Sequence, residues 1–180
     1  MATNTNPNRK TREEQRPEAP ANEVPASNDR TPVGISNYCF GCGRDNPEGL
    51  GLQFAFDEER KSYVCRFELS RRYTGPPGHA HGGIIATILD EAMGKANRIS
   101  EVTAVTQSMT VEYLRLVPLG KPLVVEGWQR SVSGRVHVNV AELRSLEGVV
   151  LARSEGTFIA IDPKKMFSRH IKESDSWSGK

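Results

Sequence analysis

Residues 75–94 read GPPGHAHGGIIATILDEAMG, and this stretch decides what the chain can fold into. The two prolines exclude a helix at its beginning, whereas the apolar residues that follow recur at helical spacing. The pattern predicts one long amphipathic helix over about residues 82–99. Its apolar stripe consists of Ile84, Ile85, Ile88, Leu89, Ala92, Met93 and Ala96.

Strand patterns lie on both sides of this helix. A hairpin is predicted before it, and a run of antiparallel strands, a meander, is predicted after it. Ser133-Gly134 and Glu147-Gly148 stand where two-residue hairpin turns belong. One helix and a single sheet wrapped on it give an α+β fold. The predicted strands cover residues 51–58, 61–70, 102–117, 123–132, 135–143 and 149–161.

The length of 180 residues allows one domain. Residues 1–36 hold five of the eleven prolines and no aromatic residue, which predicts a disordered polar tail. Residues 37–162 form the predicted domain, and residues 163–180 a polar extension. The chain shows no signal peptide and no apolar run of about 20 residues, so we expect a cytoplasmic protein without membrane insertion. A net charge of +2 without basic runs argues against nucleic acid as the partner.

Two neighbouring acids lie in the middle of the predicted helix. Glu91 precedes Lys95 by four residues, the favourable order for an ion pair, so a solvated acid explains it. Asp90 has no basic residue three or four positions away, and Asp is a poor helix former. Its small neighbours would let a ligand or a second chain approach. Asp90 is therefore the candidate catalytic carboxylate, and the alternative is that it merely bonds a nearby backbone or side chain.

The helix begins at His81-Gly82-Gly83, which offers no strong capping side chain. Free N–H groups at the positive end of a helix can hold an oxyanion, and glycines leave the approach open. Gly83 and Asp90 fall on nearly the same face of the helix but about 10 Å apart along its axis. One helix cannot bring both to one carbonyl, whereas two antiparallel helices across a two-fold axis can. The arithmetic predicts a homodimer with two equivalent sites.

Three stretches together resemble the hotdog-fold acyl-CoA thioesterases of the PaaI-like branch. They are HAHGGIIATILDEAMG, YCFGCGRDNPEGL upstream of it and TVEYLRLVPLG downstream, and the similarity spans about residues 38–162. The resemblance implies a hotdog fold, with a central helix wrapped by a curved antiparallel sheet of about five to six strands. It also implies dimers often paired into tetramers, and metal-free hydrolysis of acyl-CoA in fatty acid metabolism.

The resemblance assigns roles to individual residues. Asp90 matches the acid that acts as general base on water or as nucleophile. Gly82 or Gly83 would donate a backbone N–H to the thioester oxygen, and His81 would support this loop. Thr106 falls where related enzymes place a hydroxyl that orients the water.

Tyr113 and Arg115 match the stretch that borders the coenzyme A groove in relatives. Arg115 could bind a phosphate, although a surface arginine is the alternative. Many relatives carry Asn six residues before the histidine, where this chain has Gly75, and this difference leaves the acyl group open.

The pair Cys39-x-x-Cys42 invites a zinc or redox interpretation. Zinc sites need four ligands, and no second cysteine pair exists, so we expect neither a metal nor a cofactor. A redox pair should open a helix after a strand, yet this one precedes a turn sequence. The segment is expected to pack over the sheet instead. His79 and His137 are expected at the surface or in a groove.

Three functions follow from these residues. The first is acyl-CoA thioesterase, since thioester hydrolysis needs a base or nucleophile and a polarised carbonyl. The second is acyl-CoA hydratase or dehydratase on the same fold, which pairs an acid with a catalytic histidine in a different motif. The third is a non-catalytic acyl-CoA-binding or regulatory module, which would keep the groove and could lose the acid.

Overall fold

A computed structural model describes residues 37–167. The predicted tail, residues 1–36, and most of the predicted extension lie outside the described residues. A single long helix, α1, packs across one six-stranded antiparallel sheet, as expected for the α+β class. The strands are β1 Ala55–Asp57, β2 Ser62–Glu68, β3 Thr103–Tyr113, β4 Pro122–Ser133, β5 Val136–Ser145 and β6 Val150–Ile161. The helices are α1 Gly82–Ala96, α2 Pro163–Phe167 and two short 3-10 turns, Arg71–Tyr73 and Asn97–Ser100.

Helix α1 begins where predicted but ends three residues early. Ala96 is its last residue, and the chain continues as a 3-10 turn until Glu101, which adopts a left-handed conformation (φ 56°). The buried Asn97 fixes this ending, because its side chain donates to Gly94 O (3.2 Å) and accepts from Asn139 (2.8 Å). A polar residue that bonds locally favours a helix end over its continuation.

The strand order is β1-β2-β4-β5-β6-β3, which corrects the expected meander. Strands β4, β5 and β6 do follow one another as hairpins, and β2 pairs with β4. Strand β3, however, pairs with β6 and forms the far edge of the sheet. The long helix between β2 and β3 crosses the sheet, so β3 begins at the far edge. Strand β4, rather than β3, therefore pairs with β2.

The core lies between α1 and the inner face of the sheet. Gly127 on β4 brings the two layers into direct contact, because a Cβ there would stand 2.2 Å from the Ala92 carbonyl oxygen. Asn139 on β5 donates to the Met93 carbonyl oxygen at 2.9 Å. The helix is therefore held by its backbone as well as by its buried side chains, which are Ile85, Ile88, Leu89, Ala92, Met93 and Ala96.

His137 departs from the expected surface or groove position. It is only 2% exposed, and its ring bonds the Gln129 amide at 3.1 Å. The alternation along β5 is real, but Ala141 and Leu143 are fully buried, and His137 lies on their face. The valines of this strand lie on the opposite face.

Candidate active site

The start of α1 is capped, contrary to the sequence expectation. His81 is the N-cap residue, and its Nδ1 accepts the Gly83 N–H at 3.0 Å. Accepting this bond requires an unprotonated Nδ1, so the neutral ring carries its proton on Nε2. Histidine is not among the preferred capping residues, which is why the sequence did not reveal it. The Gly83 N–H is therefore engaged within the chain.

Gly82 holds the free donor at this helix end. Its N–H has no hydrogen-bond partner within residues 37–167, whereas its carbonyl accepts the Tyr113 hydroxyl at 3.1 Å. A Cβ on Gly82 would stand 3.6 Å from the Tyr113 ring, an ordinary contact distance. Between the two glycines that the sequence left open, the geometry favours Gly82 as the anion donor.

Asp90 is half-buried and bonded to Thr106. The Thr106 hydroxyl donates to Asp90 Oδ1 at 2.7 Å, so the structure brings these two predicted residues together. Burial raises the pKa of the Asp90 carboxyl above its usual value, the Thr106 hydrogen bond offsets part of the rise, and the charge of Glu91 adds to it. A carboxylate in such surroundings is a stronger base than one in water.

A one-residue register shift in β3 aligns the two ends of the site. Thr106 pairs with Phe158 and Ser108 pairs with Thr157, so Gln107 is an extra residue on β3. Thr106 and Tyr113 are seven positions apart, and regular alternation would place them on opposite faces. With the shift, both face α1, where Thr106 reaches Asp90 and Tyr113 reaches Gly82. Such bulges often re-aim side chains beside active sites.

Arg115 is not brought into this arrangement. It is exposed, two residues after β3, and its backbone N–H bonds Leu151 O at 2.9 Å. Among the described residues, its side chain makes no hydrogen bond or ion pair with Asp90 or Gly82. The assignment of Arg115 to a coenzyme A groove stays a prediction.

Glu91 faces other neighbours than Asp90 does. The predicted ion pair with Lys95 is present at 3.4 Å. Glu91 is not solvated as expected, because its side chain is only 19% exposed. Its Oε2 lies 3.6 Å from Cys39 Sγ. The two cysteines therefore contact α1, which the sequence did not predict.

The sulfur atoms of Cys39 and Cys42 and a carboxylate oxygen of Glu91 all lie within 4.8 Å of one another. Lys95 Nζ donates to Cys42 Sγ at 3.0 Å. A hydrogen bond from the Cys42 thiol lowers the pKa of Cys39 to about 6, against the effects of burial and of Glu91. The same bond and burial raise the pKa of Cys42, because its proton is held between the sulfurs.

The fold and the matching family agree. One long helix across a six-stranded antiparallel sheet is the hotdog fold. Residues 77–152 match the model of the family described as the thioesterase superfamily. The matched part of the chain runs from the loop before α1 into β6. Within residues 37–167, no helix is both long and apolar enough to cross a bilayer.

Three similar proteins agree with this match. Acyl-coenzyme A thioesterase THEM4 of Mus musculus is 32% identical over 125 residues, which are 68% of this chain and 54% of the relative. A thioesterase superfamily protein of known crystal structure is 30% identical (TM-score 0.65; 68% of this chain, 60% of that one). The PaaI protein of E. coli shares the fold at 21% identity (TM-score 0.58; 63% and 81%). The chain spans about half the length of the curated relatives it matches.

Proposed function

We propose that this protein hydrolyses acyl-CoA thioesters to a free acid and coenzyme A. The observation that carries the proposal is the half-buried Asp90 carboxylate, which holds a hydrogen bond from Thr106 and has a raised pKa. The match of residues 77–152 to the thioesterase superfamily model and the similarity to a relative named acyl-coenzyme A thioesterase support it. The cytoplasmic location and the link to fatty acid metabolism stay predictions of the sequence.

The reaction needs a base or nucleophile and an oxyanion donor at one carbonyl. Gly82 and Asp90 are eight residues apart, so about 12 Å of helix rise separates them within one chain. We therefore place Asp90 of one protomer opposite the Gly82 N–H of its partner. The β3 edge fits the required two-fold interface, because it pairs on one side only within the described residues and exposes Val105 and Tyr113.

The chemistry follows from the hydrogen bonds of the site. Asp90 takes a proton from water, the water oxygen attacks the thioester carbonyl, and the Gly82 N–H stabilises the oxyanion. The carbonyl then re-forms as the C–S bond breaks, and the leaving coenzyme A thiolate takes up the proton from Asp90, which restores the base. Thr106 occupies Oδ1 and so leaves Oδ2 for the water. His81 fixes the glycine loop through Gly83.

In the alternative path, Asp90 attacks the carbonyl itself and forms an acyl anhydride that water cleaves. A single turnover in H₂¹⁸O, with enzyme in excess over substrate, distinguishes the two. A general base delivers the label to the acid product alone. A nucleophile leaves the label in the Asp90 carboxyl when water attacks the aspartyl carbon of the anhydride, which mass spectrometry of the peptide detects.

A panel of acyl-CoA thioesters, with release of free thiol as the readout, tests the function. Asp90→Asn keeps the shape of the side chain and should lower kcat by about 10² or more. Glu155→Gln is the matched control, since Glu155 is exposed on the outer face of β6 and pairs with Arg130. Equal activity of Asp90→Asn and wild type would overturn the proposal. Binding of acyl-CoA without thiol release would favour a binding module instead.

A further inference from the structure

The segment CFGCG, residues 39–43, forms a tight turn that presents two sulfur atoms. The Gly43 N–H bonds Cys39 O at 2.8 Å and closes the turn. A Cβ at Gly43 would stand 2.4 Å from Cys39 O, so the turn requires glycine there. The turn therefore brings two sulfurs together, and a cysteine sulfur binds metals as the thiolate.

Helix α1 supplies a third ligand atom that the sequence did not reveal. Glu91 extends toward this turn, and a Cβ on Gly41 would stand only 2.3 Å from its Oε2. The three ligand atoms already lie within 4.8 Å of one another. Two sulfurs bound to one tetrahedral zinc are about 3.8 Å apart, given a Zn–S distance of about 2.3 Å. Small side-chain rotations are therefore enough to close the site.

We propose that Cys39, Cys42 and Glu91 bind one Zn²⁺ ion, with water in the fourth position. This departs from the expectation of no metal, which rested on the lack of a second cysteine pair. Two thiolates, one carboxylate and the ion carry a net charge of −1, and Lys95 beside Cys42 neutralises it. Binding releases to solvent the thiol proton held between the two sulfurs. Lys95 keeps its hydrogen bond to Cys42 as an outer partner.

The proposed site is separate from Asp90. Asp90 bonds Thr106 on β3, whereas Glu91 faces the cysteine turn, so consecutive residues of α1 serve different neighbours. A bound ion would tie residues 39–43 to the helix, which at present contact it through single hydrogen bonds. Because the ligands come together only in the folded chain, zinc bound there would stabilise the fold.

Zinc uptake by the full-length chain tests the proposal without any substrate. The protein is stripped with a chelator under a phosphine reductant, dialysed against Zn²⁺ alone, and its metal is counted by elemental analysis. We expect about one zinc per chain. Co²⁺ in place of Zn²⁺ should give thiolate-to-cobalt charge-transfer absorption. Cys65→Ala, which removes the only other cysteine, should keep both signals.

Ligand variants complete the test. Cys39→Ser and Cys42→Ser should lose the zinc and the cobalt absorption. Glu91→Gln is a milder change, for use if a cysteine variant does not fold. It should weaken zinc binding by more than about tenfold, because loss of a residue that only bonds a ligand already lowers metal affinity 10–100-fold. Lys95→Met should weaken it about tenfold. A wild-type chain with both thiols free and no zinc, or equal zinc in wild type and Cys39→Ser, overturns the proposal.

Discussion

Mixing two inactive variants would reveal whether the active site is shared between protomers. The first variant, Asp90→Asn, removes the base. The second, Gly82→Pro, removes the proposed oxyanion donor at little cost to the fold, since Gly82 is the first residue of the helix and proline is favoured there. His81 is already extended (ψ 138°), as a residue before proline must be.

The expected magnitudes follow from the two-fold geometry. Loss of one oxyanion donor costs about 10²–10³ in kcat, so each parent alone should be nearly inactive. Random exchange at equal amounts makes half of the dimers heterodimers, and each of these has one intact site out of two. The mixture should therefore recover about one quarter of wild-type activity.

The assay is thiol release from an acyl-CoA before and after subunit exchange, with dimeric state and exchange verified by native mass spectrometry. Gly82→Ala is the control for the helix start, because it keeps the N–H and adds a Cβ at an ordinary 3.6 Å from Tyr113. It should stay active. If verified heterodimers are no more active than the parents, the cross-subunit site is refuted.

Three further outcomes are expected. Thr106→Val removes the hydrogen bond that lowers the pKa of Asp90, so the acid limb of the kcat/KM profile should move to higher pH. Thr106→Ser keeps the hydroxyl and should leave the limb in place. An unmoved limb in Thr106→Val would show that Thr106 does not set the pKa of Asp90. Because burial raises the pKa of Asp90, its ionisation disfavours the folded state. Asp90→Asn should thus be at least as stable as wild type in urea unfolding at neutral pH. Any gain in the free energy of unfolding should vanish below the usual carboxyl pKa. A variant less stable than wild type at neutral pH would contradict the expected direction of this effect. Gly127→Ala should lower the free energy of unfolding by about 1–3 kcal/mol, because the added Cβ would clash with the Ala92 carbonyl. Unchanged stability would show that the helix and the sheet can move apart at little energetic cost.

The helix and the strands were readable from the sequence because their signals are local. Apolar spacing located α1, and β-branched alternation located the strands, with errors of a few residues at their ends. The strand order was not readable. Pairing of β3 with β6 joins residues about 50 positions apart, and no local pattern records which edge a strand will occupy.

The sequence predicted the candidate site only in part, because local signals identify residues but not their tertiary contacts. Asp90 stood out because no neighbour explained it, whereas Thr106 was named only through the family resemblance, as a hydroxyl that orients the water. The cap by His81 and the cysteine cluster escaped notice. The ion pair with Lys95 was a sufficient explanation of Glu91 in the sequence. In the folded chain, the turn that contains Cys39 also contacts the Glu91 carboxylate.

The register shift at Gln107 also sets where the chain tolerates a change of length. Loss of a residue elsewhere in β3 would turn every side chain on one side of the gap to the opposite face. Loss of Gln107 instead leaves Thr106 opposite Phe158 and Ser108 opposite Thr157, as in a regular ladder. A chain one residue shorter at this position would keep both Thr106 and Tyr113 toward the helix, and only the local bend would be lost. Gln107 thus marks the point where β3 can vary in length and still present both ends of the site.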